Sequence, residues 1–142
     1  EADLAALARA AAAATSHGAD ELQVDAPPTL KLSRSHPLLV ERLVANLLDN
    51  AFKHGKPPVQ LLVREEGGSA LIEVSDAGAG VPHAQREGLL QAFARGDAAR
   101  GTPGTGLGLA IVARVVARMG GTLDFARREG RHVVSVRLPR HP

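Results

Sequence analysis

The chain has 142 residues, the size of one domain, and its hydrophobic fraction of 44% includes only three Phe with no Trp or Tyr, so the expected core is aliphatic. Zero Cys excludes disulfides and Cys-ligated zinc, and 17 Lys/Arg against 15 Asp/Glu, without a clustered basic face, argue against nucleic acid and suit a small anionic ligand. With no run near the roughly twenty apolar residues of a membrane span, and no secretory signal, the sequence reads as soluble.

In chain order, ADLAALARAAAAAT (2–15) has the propensity of a surface or linker helix, stopped by Ser16-His17-Gly18. ELQVD (21–25) and TLKLS (29–33) alternate apolar and polar residues around Pro27-Pro28, as a pair of strands does. Ser35 can cap a helix that begins at His36-Pro37, runs through PLLVERLVANLLDNAFKHG and stops at Gly55. PVQLLVRE (58–65) and ALIEVSD (70–76) flank Gly67-Gly68 as a hairpin. A short helix is expected over 83–91, then a polar, glycine-rich and mobile segment over 94–106. From 107 an apolar helix, LGLAIVARVVARM, ends on Gly120-Gly121, and TLDFARR (122–128) with HVVSVRLP (132–139) forms a closing hairpin. Helices mixed with antiparallel-leaning strands indicate an α/β two-layer sandwich.

Three stretches carry candidate chemistry. On the long helix, Asn46, Asn50 and Lys53 fall within roughly 60° of one another, away from Leu43, Leu47 and Ala51, which can bury against the sheet. Amide oxygens ligate Mg²⁺ and a lysine meets phosphate, so the triplet suits a metal-phosphate group; taken alone, an ordinary solvent-facing polar stripe is the favoured reading. Asp76 opens DAGAG, where Gly78 and Gly80 let the chain turn and a ligand approach; its carboxylate can accept from an exocyclic amine such as that of adenine, or close an Asx-type turn. In GTPGTGLGLAI (101–111) the glycines run into a helix start, whose unpaired N–H groups attract an anion; taken alone, the stretch equally reads as a flexible loop. No Gly-Lys-Ser/Thr occurs, which excludes a Walker A loop, and Leu109 stands where a dinucleotide fingerprint needs its last glycine.

In that order, NLLDNAFKHG, DAGAG and FARGDAARGTPGTGLGLAI resemble the N, G1, F and G2 boxes of the catalytic, ATP-binding domain of sensor histidine kinases, over roughly 36–139. FARGDAAR and GTGLGLAIVARVV look close to the osmosensor-type branch. The resemblance implies the GHKL, or Bergerat, fold: a mixed, mostly antiparallel sheet packed on three helices, with a mobile lid over ATP. It implies that Asn50 ligates Mg²⁺, that Lys53 meets the phosphates, and that Asp76 binds the adenine amine in a pocket shaped by Gly78 and Gly80. Arg95, followed by Gly96, would approach the terminal phosphate, and Gly104, Thr105, Gly106, Leu107, Gly108 and Leu109 would line the phosphates. Ala51 adjoins the pocket beside Asn50, and His54, where the family often has Tyr, lies over the base or is a solvated helix-end histidine.

GHKL ATPases place a glutamate four residues before the metal-binding asparagine; this chain has Asn46, which cannot act as a base, so transfer to a histidine is favoured over hydrolysis. Glu41 lies on a different face of the helix. None of the six histidines sits in a phosphoacceptor context, so the acceptor is expected on a separate dimerisation domain, with 1–17 a linker or remnant of it and 18–142 the catalytic domain. The resemblance further implies a cognate response regulator, a monomeric isolated domain, a homodimeric full-length protein, and a cytoplasmic position in a bacterial inner-membrane receptor. The rival expectations are a hydrolytic or anti-sigma-type GHKL member and a nucleotide-gated binding module.

Overall fold

A computed structural model describes residues 2–15, 21–32, 37–78 and 106–139. Among them, three helices lie on one face of a five-stranded sheet, the expected two-layer sandwich. The elements are β1 (Ala2–Asp3), α1 (Leu4–Ala13), β2 (Leu22–Asp25), β3 (Lys31–Leu32), α2 (Pro37–His54), β4 (Val59–Glu66), β5 (Ser69–Asp76), α3 (Gly106–Arg118), β6 (Thr122–Arg128) and β7 (Arg131–Pro139). The short helix expected over 83–91 and most of the segment 94–106 lie outside the described residues.

The sheet order is β2-β4-β5-β7-β6, with β2 parallel to β4 and every other pair antiparallel. Strand alternation sends Val59, Leu61 and Val63 of β4, Ala70, Ile72 and Val74 of β5, and Val134, Val136 and Leu138 of β7 toward the helices. On α2 the stripe Val40, Leu43, Val44, Leu47, Leu48 and Ala51 meets them, at the i, i+3, i+4 spacing of a helix with one apolar face. Val112, Ala113, Val115 and Val116 of α3 complete an aliphatic core. The opposite sheet face is laced by ion pairs: Glu66 takes Arg64 and Arg137, and Glu73 takes Arg128 while accepting from the Ser135 hydroxyl.

Two local expectations need correction. The segments 21–25 and 29–33 do not pair with each other: β2 joins β4, and the shorter β3 pairs with β1. Pro27 and Pro28, which lack N–H donors, carry the chain between them, and Arg9 of α1 ties that crossing down by donating to the carbonyls of Ala26, Pro27 and Pro28. The first helix begins at Leu4, because Asp3 turns the chain there; its Oδ1 accepts from Ala5 and Ala6 at the helix start and from Leu30 across the fold. Nor is α1 a free surface helix, since Leu4, Ala5, Ala8, Ala11 and Ala12 are buried in the common core.

Candidate functional site

The site is built where α2 ends and β5 ends. Gly55 closes α2 by donating its N–H to Ala51 O, and the Lys56 carbonyl then accepts from Ala77 N–H at 2.8 Å, stitching the helix exit to the strand exit. Between these two exits lies the Asp76 carboxylate, 3% exposed, with Oδ1 accepting from Gly78 N–H at 2.7 Å and Lys56 N–H at 3.3 Å. Its Oδ2 lies 3.5 Å from His132 Nδ1.

Glycine is required on both sides of this carboxylate. A Cβ on Gly55 would come within 2.3 Å of Asp76 Cγ and Oδ1, and one on Gly78 within 2.9 Å of Oδ1 and 3.0 Å of Gly55 Cα. The carboxylate therefore rests against bare backbone, walled by groups that leave room for nothing larger than hydrogen there. Burial, the largest influence on its titration, would raise its pKa, but the His132 contact, the two amides and the charge of the imidazole together outweigh it and hold the group below the usual aspartate range. Asp76 is thus a buried, ionised acceptor.

The turn after β5 is fixed from the far edge of the sheet. Arg127 on β6 donates to Gly78 O at 3.0 Å and to Gly130 O at 3.1 Å. Arg131 on β7 donates to the Ser75 hydroxyl and carbonyl and to Pro58 O, which follows the cis Pro57-Pro58 bond. Neither arginine is marked by any motif, and apart from the local bond to Gly130 the contacts span 49 to 73 residues of sequence.

On α2, Asn50 is buried at 8% exposure and Ala51 lies in the core beside it. Asn46, one turn earlier, is half-buried and lines a groove against the end of α1 with Ala11, Thr15, Ala45, Asp49 and Phe52. Lys53 stands outward, 68% exposed, and its Nζ is 3.2 Å from Asp49. Such an exposed i,i+4 pair contributes only about 0.3–0.5 kcal/mol, so the ammonium can leave it for a more negative partner at little cost. His54 is the last residue of α2, and its side chain lies outside the described residues. Gly106, Leu107, Gly108 and Leu109 form the first turn of α3, where backbone amides lack intrahelical acceptors. Gly80, Arg95, Gly96, Gly104 and Thr105 lie outside the described residues.

Residues 35–142 match the family described as histidine kinase-, DNA gyrase B-, and HSP90-like ATPase. The chain belongs to this family. Among relatives of this ATPase family, it is 48% identical over 85 residues to the signal transduction histidine-protein kinase/phosphatase MprB of Mycolicibacterium smegmatis, covering 58% of this chain and 17% of that protein. It is 36% identical over 121 residues to the sensor protein KdpD of Escherichia coli, covering 83% of this chain and 14% of that one. The chain thus spans under a fifth of the length of these curated relatives. Its fold superposes on the histidine kinase domain of the E. coli osmosensor EnvZ with a TM-score of 0.72 and 36% identity, over 99% of this chain and 88% of that one. The ATP binding domain of PrrB from Mycobacterium tuberculosis gives a TM-score of 0.73 at 27% identity, over 98% and 95% of the two chains.

Proposed function

We propose that this chain is the ATP-binding catalytic domain of a two-component sensor histidine kinase, handing the γ-phosphoryl group of ATP to a histidine on a separate helical dimerisation domain. The observation that carries the reading is Asp76: an ionised carboxylate, buried, wedged against Gly55 and Gly78, and placed just beyond the asparagine-bearing helix. Beyond the Gly78, Lys56 and His132 donors the carboxylate keeps capacity to accept once more, and the exocyclic amine of adenine can donate to it.

The same geometry fits a magnesium-bound triphosphate. Mg²⁺ is usually held by one or two protein oxygens together with substrate phosphates and water. Asn50 would supply the protein oxygen, Lys53 and Arg95 would neutralise phosphate charge, and the first turn of α3 with Gly104 and Thr105 would offer backbone amides. Bound magnesium would withdraw charge from the phosphate oxygens. The chain's own work is to bind, orient and exclude water; the β–γ P–O bond breaks, a bond forms from an acceptor imidazole nitrogen to phosphorus, ADP departs with the electron pair, and the imidazole proton goes to solvent. Asn46 supports transfer over hydrolysis, because a neutral amide cannot take a proton from water.

On this reading the partners are the acceptor domain and a response regulator, the isolated chain is monomeric, and the whole receptor is a dimer with this domain in the cytoplasm. Mixing the chain with a helical hairpin bearing a histidine acceptor and γ-labelled Mg²⁺-ATP tests it. Acid-labile phosphohistidine on the hairpin is the expected result; free phosphate alone would indicate a hydrolase, and neither product would indicate a nucleotide-gated binding module.

A further inference from the structure

The imidazole of His132 has no role in the reading above, yet it is buried at the centre of the site. The inward row of β7 reads His132, Val134, Val136, Leu138, so alternation puts a polar ring where three aliphatic side chains follow. In register, His132 lies opposite Asp76 on β5 and Arg127 on β6. The Phe125 ring stacks on it, with centroids 6.2 Å apart and an interplanar angle of 18°. A carboxylate only accepts, so the contact between Nδ1 and Asp76 Oδ2 places a hydrogen on Nδ1. The other ring nitrogen, Nε2, is buried without a hydrogen-bond partner among the described residues. An aliphatic side chain would fill the row without leaving a buried polar atom unsatisfied.

The bonding capacity of Asp76 shows what the ring does. An ionised carboxylate offers about four lone-pair sites. Gly78 N–H and Lys56 N–H occupy Oδ1, and His132 faces Oδ2. Among the described residues one site on Oδ2 remains, and its direction is set once the carboxylate plane is held from both ends. Arg127 does not compete for it, since its guanidinium is engaged by the carbonyls of Gly78 and Gly130.

We propose that His132 is a specificity-determining positioning residue, whose Nδ1–H fixes the Asp76 carboxylate so that one remaining lone pair meets a nucleobase amine and repels a nucleobase carbonyl. The inference rests on the assignment of Asp76 to the adenine amine. Without the imidazole, Oδ2 has two open sites and the carboxylate loses one of its two anchored ends, so an amine and a carbonyl are told apart less sharply.

Calorimetric titration of the 142-residue chain with Mg²⁺-ATP and with Mg²⁺-GTP tests both steps. Asp76→Asn examines the underlying assignment: the ratio of ATP to GTP affinity should fall at least tenfold, and an unchanged ratio would overturn the assignment together with the role of His132. His132→Phe keeps the stacking on Phe125 and removes both nitrogens; His132→Asn puts an amide N–H near the former Nδ1. The expected pattern is a three- to tenfold loss of discrimination in His132→Phe, recovery to within twofold of the parent in His132→Asn, and no further loss when His132→Phe is added to Asp76→Asn. A histidine that served only packing would lower affinity for both nucleotides equally, or add its full effect in the double variant; either result overturns the proposal while leaving Asp76 in place. Should His132→Phe fail to fold by circular dichroism, His132→Gln, which lacks a donor near Nδ1, takes its place against His132→Asn, and equal discrimination in those two variants overturns the proposal as well.

Discussion

One added methyl group is enough to disturb the candidate site. A Cβ at residue 55 would occupy the space of the Asp76 carboxyl group, 2.3 Å from its carbon, and the carboxylate cannot move aside without leaving the Gly78 and Lys56 amides. Gly55→Ala is therefore expected to lower stability by about 1–3 kcal/mol, the range for overpacking a dense site, and to weaken nucleotide binding at least tenfold. Thermal melts and calorimetry on the same sample check it, and a parental Tm with parental affinity would mean that the carboxylate is not held as described. Asp76 also carries a pH signature. Its folded pKa lies below the unfolded value, so the unfolded chain binds more protons as acid is added, and the stability it contributes is full above about pH 4 and lost as pH falls through the folded pKa. Asp76→Asn should flatten the acid limb of stability below about pH 4, as a stability curve against pH will show; an unchanged acid limb would contradict the sign. Asp76 and Gly78 were legible because strand and turn signals bracket them. The second duty of Gly55, beyond stopping α2, was not, because its partner is about twenty residues away across a strand. His132 did leave a signal: the alternation in HVVSVRLP puts it on the face shared with Val134, Val136 and Leu138, where a histidine is out of place.

At the scale of elements, α1 departs furthest from its expected role. Its sequence is mostly alanine, which suits an exposed helix by propensity and a tightly packed one by size, so no apolar stripe separates the two cases. Packing decides: Leu4, Ala5 and Ala8 are 0% exposed against the rest of the core. Asp3 then anchors the helix entry to the turn before β3, accepting from Leu30 N–H at 3.0 Å and from the Thr29 hydroxyl at 3.0 Å as well as capping α1. Leu4→Ala is expected to cost about 2–5 kcal/mol in urea unfolding, as for a buried leucine whose cavity cannot collapse. A parental midpoint would mark α1 as a detachable arm. By contrast α2, the β4–β5 hairpin and the β6–β7 hairpin were legible within a residue or two, since each is specified by its own periodicity and its own turn. The partners of β2 and β3 were not, because short strands are selected by whatever edge the rest of the fold presents.

The whole molecule brings the end of α2, the exit of β5 and the β6–β7 hairpin to one place, through contacts that reach from residue 56 to residue 132. None of these segments holds the carboxylate alone, so its geometry exists only in the folded chain and a ligand that uses it binds the native state alone. Linkage then fixes the size of the effect: at a free concentration one hundredfold above Kd, a ligand specific for the native state adds about 2.7 kcal/mol of stability. For a domain of this length, at roughly 3 °C per kcal/mol, Mg²⁺-ATP under those conditions should raise Tm by about 8 °C. Mg²⁺-GTP at the same concentration should raise it by far less, and Asp76→Asn should remove most of the difference between the two. Differential scanning calorimetry of parent and variant decides the matter, and equal shifts with both nucleotides in the parent would separate the buried carboxylate from nucleobase selection.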